Sequence, residues 1–126
     1  MTWMASARWA GSFALCTILA GSGTTALAAP DGAELFKQRC QACHSDTAGK
    51  PAGVGPNLAG VVGRKAGSTS YNYSAALKSS GLTWTKSNLD QFLSGPAKKV
   101  PGTRMVMTIS DKAQRAALIA YLEKKR

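Results

Sequence analysis

The stretch CQACHSD, Cys40 to Asp46, decides how this chain is read. Cys40 and Cys43 stand three residues apart, and His44 follows directly. The segment holds the only histidine of the 126-residue chain and two of its three cysteines. Four readings compete for it. A disulfide is chemically permitted in an oxidising compartment, but a thioredoxin-like C-x-x-C belongs to a βαβ pattern that this sequence lacks. A structural zinc site needs four ligands, and no second histidine or second cysteine pair is available to complete one. Two idle thiols would be a liability outside the cytosol. There remains C-x-x-C-H as the covalent attachment point of a c-type haem. Residues i and i+3 of a helix share one face, so both thiols can add to the vinyl groups on one side of a porphyrin. His44 then lies under the ring and can bring an imidazole nitrogen to the iron.

Ahead of this segment, Arg8 precedes an apolar run, Trp9 to Gly21, and the small residues behind it end in Ala26-Leu27-Ala28. A basic start, a short apolar centre and an A-x-A exit mark a secretory signal peptide. The run falls short of the roughly 20 residues that cross a bilayer. The expected organisation is a signal peptide over 1–28, cleaved after Ala28 with Ala29 as the alternative ahead of Pro30, and one domain over 29–126. Cys16 leaves with the signal. Export of this kind with a C-x-x-C-H domain points to the periplasm. The formal charge is +10, and removing Arg8 leaves +9. A basic balance of that size suits an acidic protein surface or an anionic membrane. Export counts against nucleic acid.

Downstream of the signal the sequence predicts an all-α protein with long loops. Asp31 and Glu34 make a capping-box-like start, with Leu35, Phe36 and Cys40 at helical spacing, and a helix is expected from Gly32 to Cys43. Ser45 to Ser70 is rich in glycine and reads as loop. NYSAALKSSG, 72–81, predicts a short helix closed by Gly81. SNLDQFLSGP, 87–96, predicts another, capped by Ser87 and stopped by Gly95 and Pro96. The last helix is the clearest: Ser110 can cap it, Ala117, Leu118, Tyr121 and Leu122 line one face, and Lys124, Lys125 and Arg126 suit the negative end of its dipole. Short helices and so much loop make a marginal core, because ordering each residue costs about 1–2 kcal/mol of backbone entropy. A flat apolar prosthetic group fills that deficit.

With one histidine, the second axial ligand of an iron must be another residue type. Met1 and Met4 belong to the signal, which leaves Met105 and Met107, both just after the loop 100–104. Methionine is more often core filler, but His/Met is a common haem pairing.

These residues together resemble the class I c-type cytochromes, close to mitochondrial cytochrome c and its small soluble bacterial relatives. The likeness runs from Gly32 to Lys125. CQACH is one matching piece; GPNLAGVVGRKAG (55–67), PGTRM (101–105) and LIAYL (118–122) follow in the family's order. The resemblance implies the cytochrome c fold: four to five short helices and long loops around one covalent haem c, with Cys40 and Cys43 as thioether partners. It implies His44 and Met105 as the axial iron ligands, and a Pro56 carbonyl that steadies the histidine. It places Arg64, Tyr73 and Trp84 as donors to a buried haem propionate and Thr103 at the second. It also sets Gly32, Phe36, Leu118 and Tyr121 where the first and last helices cross. The sequence departs from the family at Phe92, where many relatives have a tyrosine, at Met107, where mitochondrial proteins have an aromatic, and at Ala76 and Leu77, near an asparagine that holds internal water.

The function so implied is a soluble periplasmic electron carrier, not an enzyme. It would shuttle one electron between larger redox proteins of a respiratory or dehydrogenase chain: an oxidase, reductase or dehydrogenase with an acidic docking surface. Arg39, Lys98, Lys99, Arg104 and Lys112 are the expected basic ring. Transient contact with an anionic membrane fits the same charge, and the protein is expected to be a monomer. A haem enzyme or gas sensor would need an open sixth position and a distal base, which a single histidine does not supply.

Overall fold

The computed structural model describes residues 27–126; the expected signal peptide, apart from Leu27 and Ala28, lies outside the described residues. Among the described residues five helices follow one another: α1 Gly32–Arg39, α2 Ala75–Ser79, α3 Lys86–Ser94, α4 Pro96–Lys99 and α5 Lys112–Glu123. The fold is the helical one expected, with no strand among the described residues beyond an isolated bridge between Lys65 and Thr83.

The helix starts show where local chemistry chose differently from the sequence reading. Asp31 caps α1 as expected, accepting from the Ala33 and Glu34 amides. Glu34 does not return to the cap; its carboxylate takes the Gln38 amide at 2.8 Å. Thr85, not Ser87, caps α3: its backbone is extended, at φ −63° and ψ 159°, and its Oγ1 accepts from Asn88 N at 3.1 Å. Asp111, not Ser110, caps α5 through Gln114 N at 2.8 Å. Gly95 ends α3 as expected, but Pro96 opens α4 at once. A proline at the first helical position gives up an amide that had no partner anyway. Thr85→Ala should therefore lower stability by about 1 kcal/mol and Ser87→Ala should leave it nearly unchanged, as measured by urea unfolding.

Helix α5 crosses α1 and packs against α3. Ile109 and Leu118 are fully buried, and Phe36, Leu93, Ile119 and Leu122 close around them. Phe36 and Tyr121 meet with ring centroids 5.7 Å apart. Gly32 lies so close to α5 that a Cβ there would fall on the Ala117 carbonyl oxygen and 2.7 Å from Tyr121 Cβ. Between α3 and α5, Arg115 is buried and donates to Asp90 Oδ1 at 2.7 Å and to the carbonyls of Ile109 and Ser110 at 2.9 and 2.8 Å. This pair was not foreseen from sequence. The segment read as loop has its own order: Trp84 N donates to Arg64 O at 2.8 Å, Gly63 N to Trp84 O at 2.9 Å and Ala66 N to Leu82 O at 2.8 Å.

Candidate functional site

The C-x-x-C segment leaves α1 as a hydrogen-bonded turn. Cys40 N still reaches Phe36 O at 2.8 Å, and then Cys43 N and His44 N both turn back to Cys40 O, at 3.0 and 2.9 Å. The helix expected to run to Cys43 therefore stops at Arg39, because Cys40 at φ −120° has left the helical range. The thiols are free; Cys40 is buried and Cys43 exposed. Burial pushes the Cys40 thiol up to about 11 against the opposing pull of Arg39, so little thiolate exists there at neutral pH.

His44 is held by the loop that faces it. Its Nδ1 lies 2.7 Å from Pro56 O. A carbonyl only accepts, so Nδ1 carries the proton and Nε2 keeps the free lone pair. Burial pushes the His44 pKa below the usual histidine value, while the Pro56 carbonyl works the other way. The ring is thus neutral at neutral pH, the form that binds a metal. Two backbone rungs bracket this bond: Gly55 N to Cys43 O at 2.8 Å and Leu58 N to Ser45 O at 2.7 Å. Gly55 is required here, since a Cβ would stand 2.7 Å from His44 Nδ1 and nearer still to Cε1. Asn57 braces the loop by donating to Thr47 O and Lys50 O at 2.7 and 2.9 Å.

The other sequence-predicted residues fall as follows. Backbone pairing sets Arg64 beside Trp84. Arg64 spends two of its N–H groups on the carbonyls of Ala59 and Asn57, at 2.9 and 3.0 Å, which ties it into the His44 loop. Trp84, 7% exposed, stands edge-on to Phe92 at 4.9 Å between centroids. Buried Tyr73 shares a hydrogen bond with Thr69 Oγ1 at 2.6 Å; no hydrogen bond among the described residues joins it to Arg64 or Trp84. Thr103 Oγ1 accepts from Met105 N at 3.4 Å, and Arg104 donates to the Asn72 carbonyl. Met105 and Met107 both lie half-buried against the core, with exposed Val106 between them. Two contacts gave no signal in the sequence: Arg64 as a brace for the loop, and Tyr121 reaching Asp46 at 2.5 Å.

The donor set fits a c-type haem. Two cysteines with no disulfide between them sit at C-x-x-C spacing, and a neutral imidazole next to them is fixed at one nitrogen and free at the other. Among the described residues no three His, Cys, Asp or Glu side chains come together as a metal cluster. Comparison with known proteins points the same way. The cytochrome c family model matches residues 29–125. The chain is similar to cytochrome c of Theileria annulata, 48% identical over 93 residues that cover 73% of this chain and 81% of that protein. It is also similar to cytochrome c 2.1 of Caenorhabditis elegans, 47% identical over 96 residues covering 73% and 84%. Among solved structures it resembles cytochrome cH from Methylobacterium extorquens, at 48% identity and a TM-score of 0.70, over 76% of this chain and all of that one. This chain belongs to the cytochrome c family, and with that membership comes one covalently bound haem c, for which Cys40 and Cys43 are positioned as a C-x-x-C-H pair.

Proposed function

We propose that this protein is an exported, periplasmic electron carrier and not an enzyme, with its haem iron held between His44 and Met105. Membership of the family supports the coarser part of this, a monohaem electron carrier. The observation that carries His44 as a ligand is its bond to Pro56, which leaves Nε2 as the one ring nitrogen able to bind iron; export to the periplasm rests on the signal-like pattern of residues 1–28. When bound, the haem supplies a one-electron couple at its iron. The chain's own residues do the positioning. Pro56 fixes the tautomer and plane of the His44 ring. Phe92, Leu93 and Val100 are buried and belong to the apolar core. Arg64 retains further N–H donors beyond the two spent on its loop, and with Tyr73, Trp84 and Thr103 it is the proposed partner of the propionates. Met105 is preferred to Met107 on the resemblance.

Two measurements test this reading. Pigment should stay with the polypeptide in acid acetone, and Cys40→Ala with Cys43→Ala should release it. The native protein should refuse carbon monoxide, Met105→Ala should bind it, and Met107→Ala should not. Native binding of the gas would sink the carrier reading in favour of an enzyme or sensor.

The partners proposed are redox proteins with acidic docking surfaces, met by a monomer of this chain. Arg39, Lys98, Arg104 and Lys112 are exposed, and Lys99 is half-buried with its Nζ on Gln91 Oε1. None of the five is in an ion pair among the described residues, so their charge is free to act outward. Electron exchange with an acidic partner should slow at least about tenfold as salt rises from about 10 mM to about 0.5 M. A flat salt profile in stopped-flow kinetics would remove the basic ring from the account.

A further inference from the structure

Asp46 closes the C-x-x-C-H stretch, and its carboxylate is committed. Its side chain is 16% exposed. Oδ2 accepts from the Tyr121 hydroxyl at 2.5 Å and lies 3.2 Å from Lys125 Nζ. The ammonium of Lys125 also sits 4.8 Å above the centre of the Tyr121 ring. The other end of the same loop is held from the same place, since Gly60 N donates to Lys125 O at 2.5 Å. The end of α5 thus grips the loop at residues 46 and 60; Pro56 lies within the segment so gripped, and His44 stands two residues before its first anchor. Tyr121 is itself packed on α1, with its Cβ beside Gly32 and its ring 5.7 Å from that of Phe36 between centroids.

We infer that Tyr121 is a positioning residue for His44, acting through Asp46 to keep the imidazole on Pro56. This rests on the proposal that His44 ligates the iron. The mechanical route is short. Asp46 adjoins Ser45, whose carbonyl forms the rung to Leu58, and that rung and the one from Gly55 to Cys43 flank the His44–Pro56 bond. Releasing Asp46 frees one flank and lets the ring swing away from the carbonyl.

The test uses the haem-loaded ferrous protein and follows exchange of the His44 Nδ1 proton by NMR. Strong ring-current shifts of the His44 protons in the parent protein are expected first. Ordinary shifts would overturn the ligand reading, and this proposal with it, before any variant is compared. Tyr121→Phe keeps the ring and loses only the hydroxyl. It should speed exchange of the Nδ1 proton at least about tenfold, the scale of one hydrogen bond to a charged group, while the Leu93 amide in α3 changes by less than about threefold. Asp46→Ala should give the same factor, and the double variant no more than either single one. Equal acceleration at His44 and Leu93 would show a loss of global stability only and overturn the proposal. So would a double variant whose effect is the product of the singles, or an Nδ1 proton that none of the variants affects.

Discussion

Gly32→Val should lower the stability of the fold by about 3 kcal/mol and its thermal midpoint by about 15 °C. Two effects oppose each other at this position. Intrinsic propensity favours replacing glycine in a helix, by up to about 1 kcal/mol for alanine. Packing forbids it: any Cβ at 32 falls on the Ala117 carbonyl and 2.7 Å from Tyr121 Cβ, and backbone cannot step aside as a flexible side chain can. Sterics should win, so Gly32→Ala should also destabilise, by less. The neighbouring Ala33 is exposed, and Ala33→Val should stay within about 0.5 kcal/mol of the parent. A Gly32→Ala midpoint equal to or above the parent in calorimetry would show that α1 and α5 separate at little cost.

Arg115→Met should cost about 3 kcal/mol, although methionine keeps much of the stem's packing. The guanidinium serves three acceptors at once, and one of them is the carbonyl of Ile109, a residue with no exposed surface. Removing the donor leaves that carbonyl unpaired, a penalty of about 1–3 kcal/mol, and strands Asp90. Asp90 is itself 37% exposed on its side chain, so water can take it over, and Asp90→Asn should cost under about 1 kcal/mol. The asymmetry between the two variants in urea titrations is the signature sought. Equal losses would assign the energy to the ion pair and not to the carbonyls.

What the sequence announced and what it hid follow from the range of the interactions. The C-x-x-C-H stretch is a local pattern, and its five residues are enough to name the cofactor. The last helix was legible because Leu118 and Leu122 recur at helical spacing and are indeed buried. Helix boundaries were harder. Thr85 and Ser87 are both good caps in isolation, and only the extended backbone at 85 decides between them. The turn at Cys40 was read as helix because the spacing of two thiols does not reveal where φ departs from −60°. Side-chain ties between distant residues were invisible. Asp46 and Tyr121 are 75 positions apart, and Asp90 and Arg115 are 25 apart; in a basic chain any one acid looks solvated until the fold brings its partner to it.

The meeting of α1 with α5 has a temporal consequence. Among the described residues α1 pairs with no helix but α5, so its helical partner arrives only with the end of the sequence. That delay suits Cys40, which is 5% exposed in the closed form with its thiol pushed up to about 11. Once shut, the molecule hides the sulfur that its maturation needs. The thioether at Cys40 is therefore expected to form while α1 and α5 are still apart, and the haem so attached then supplies the core on which they close.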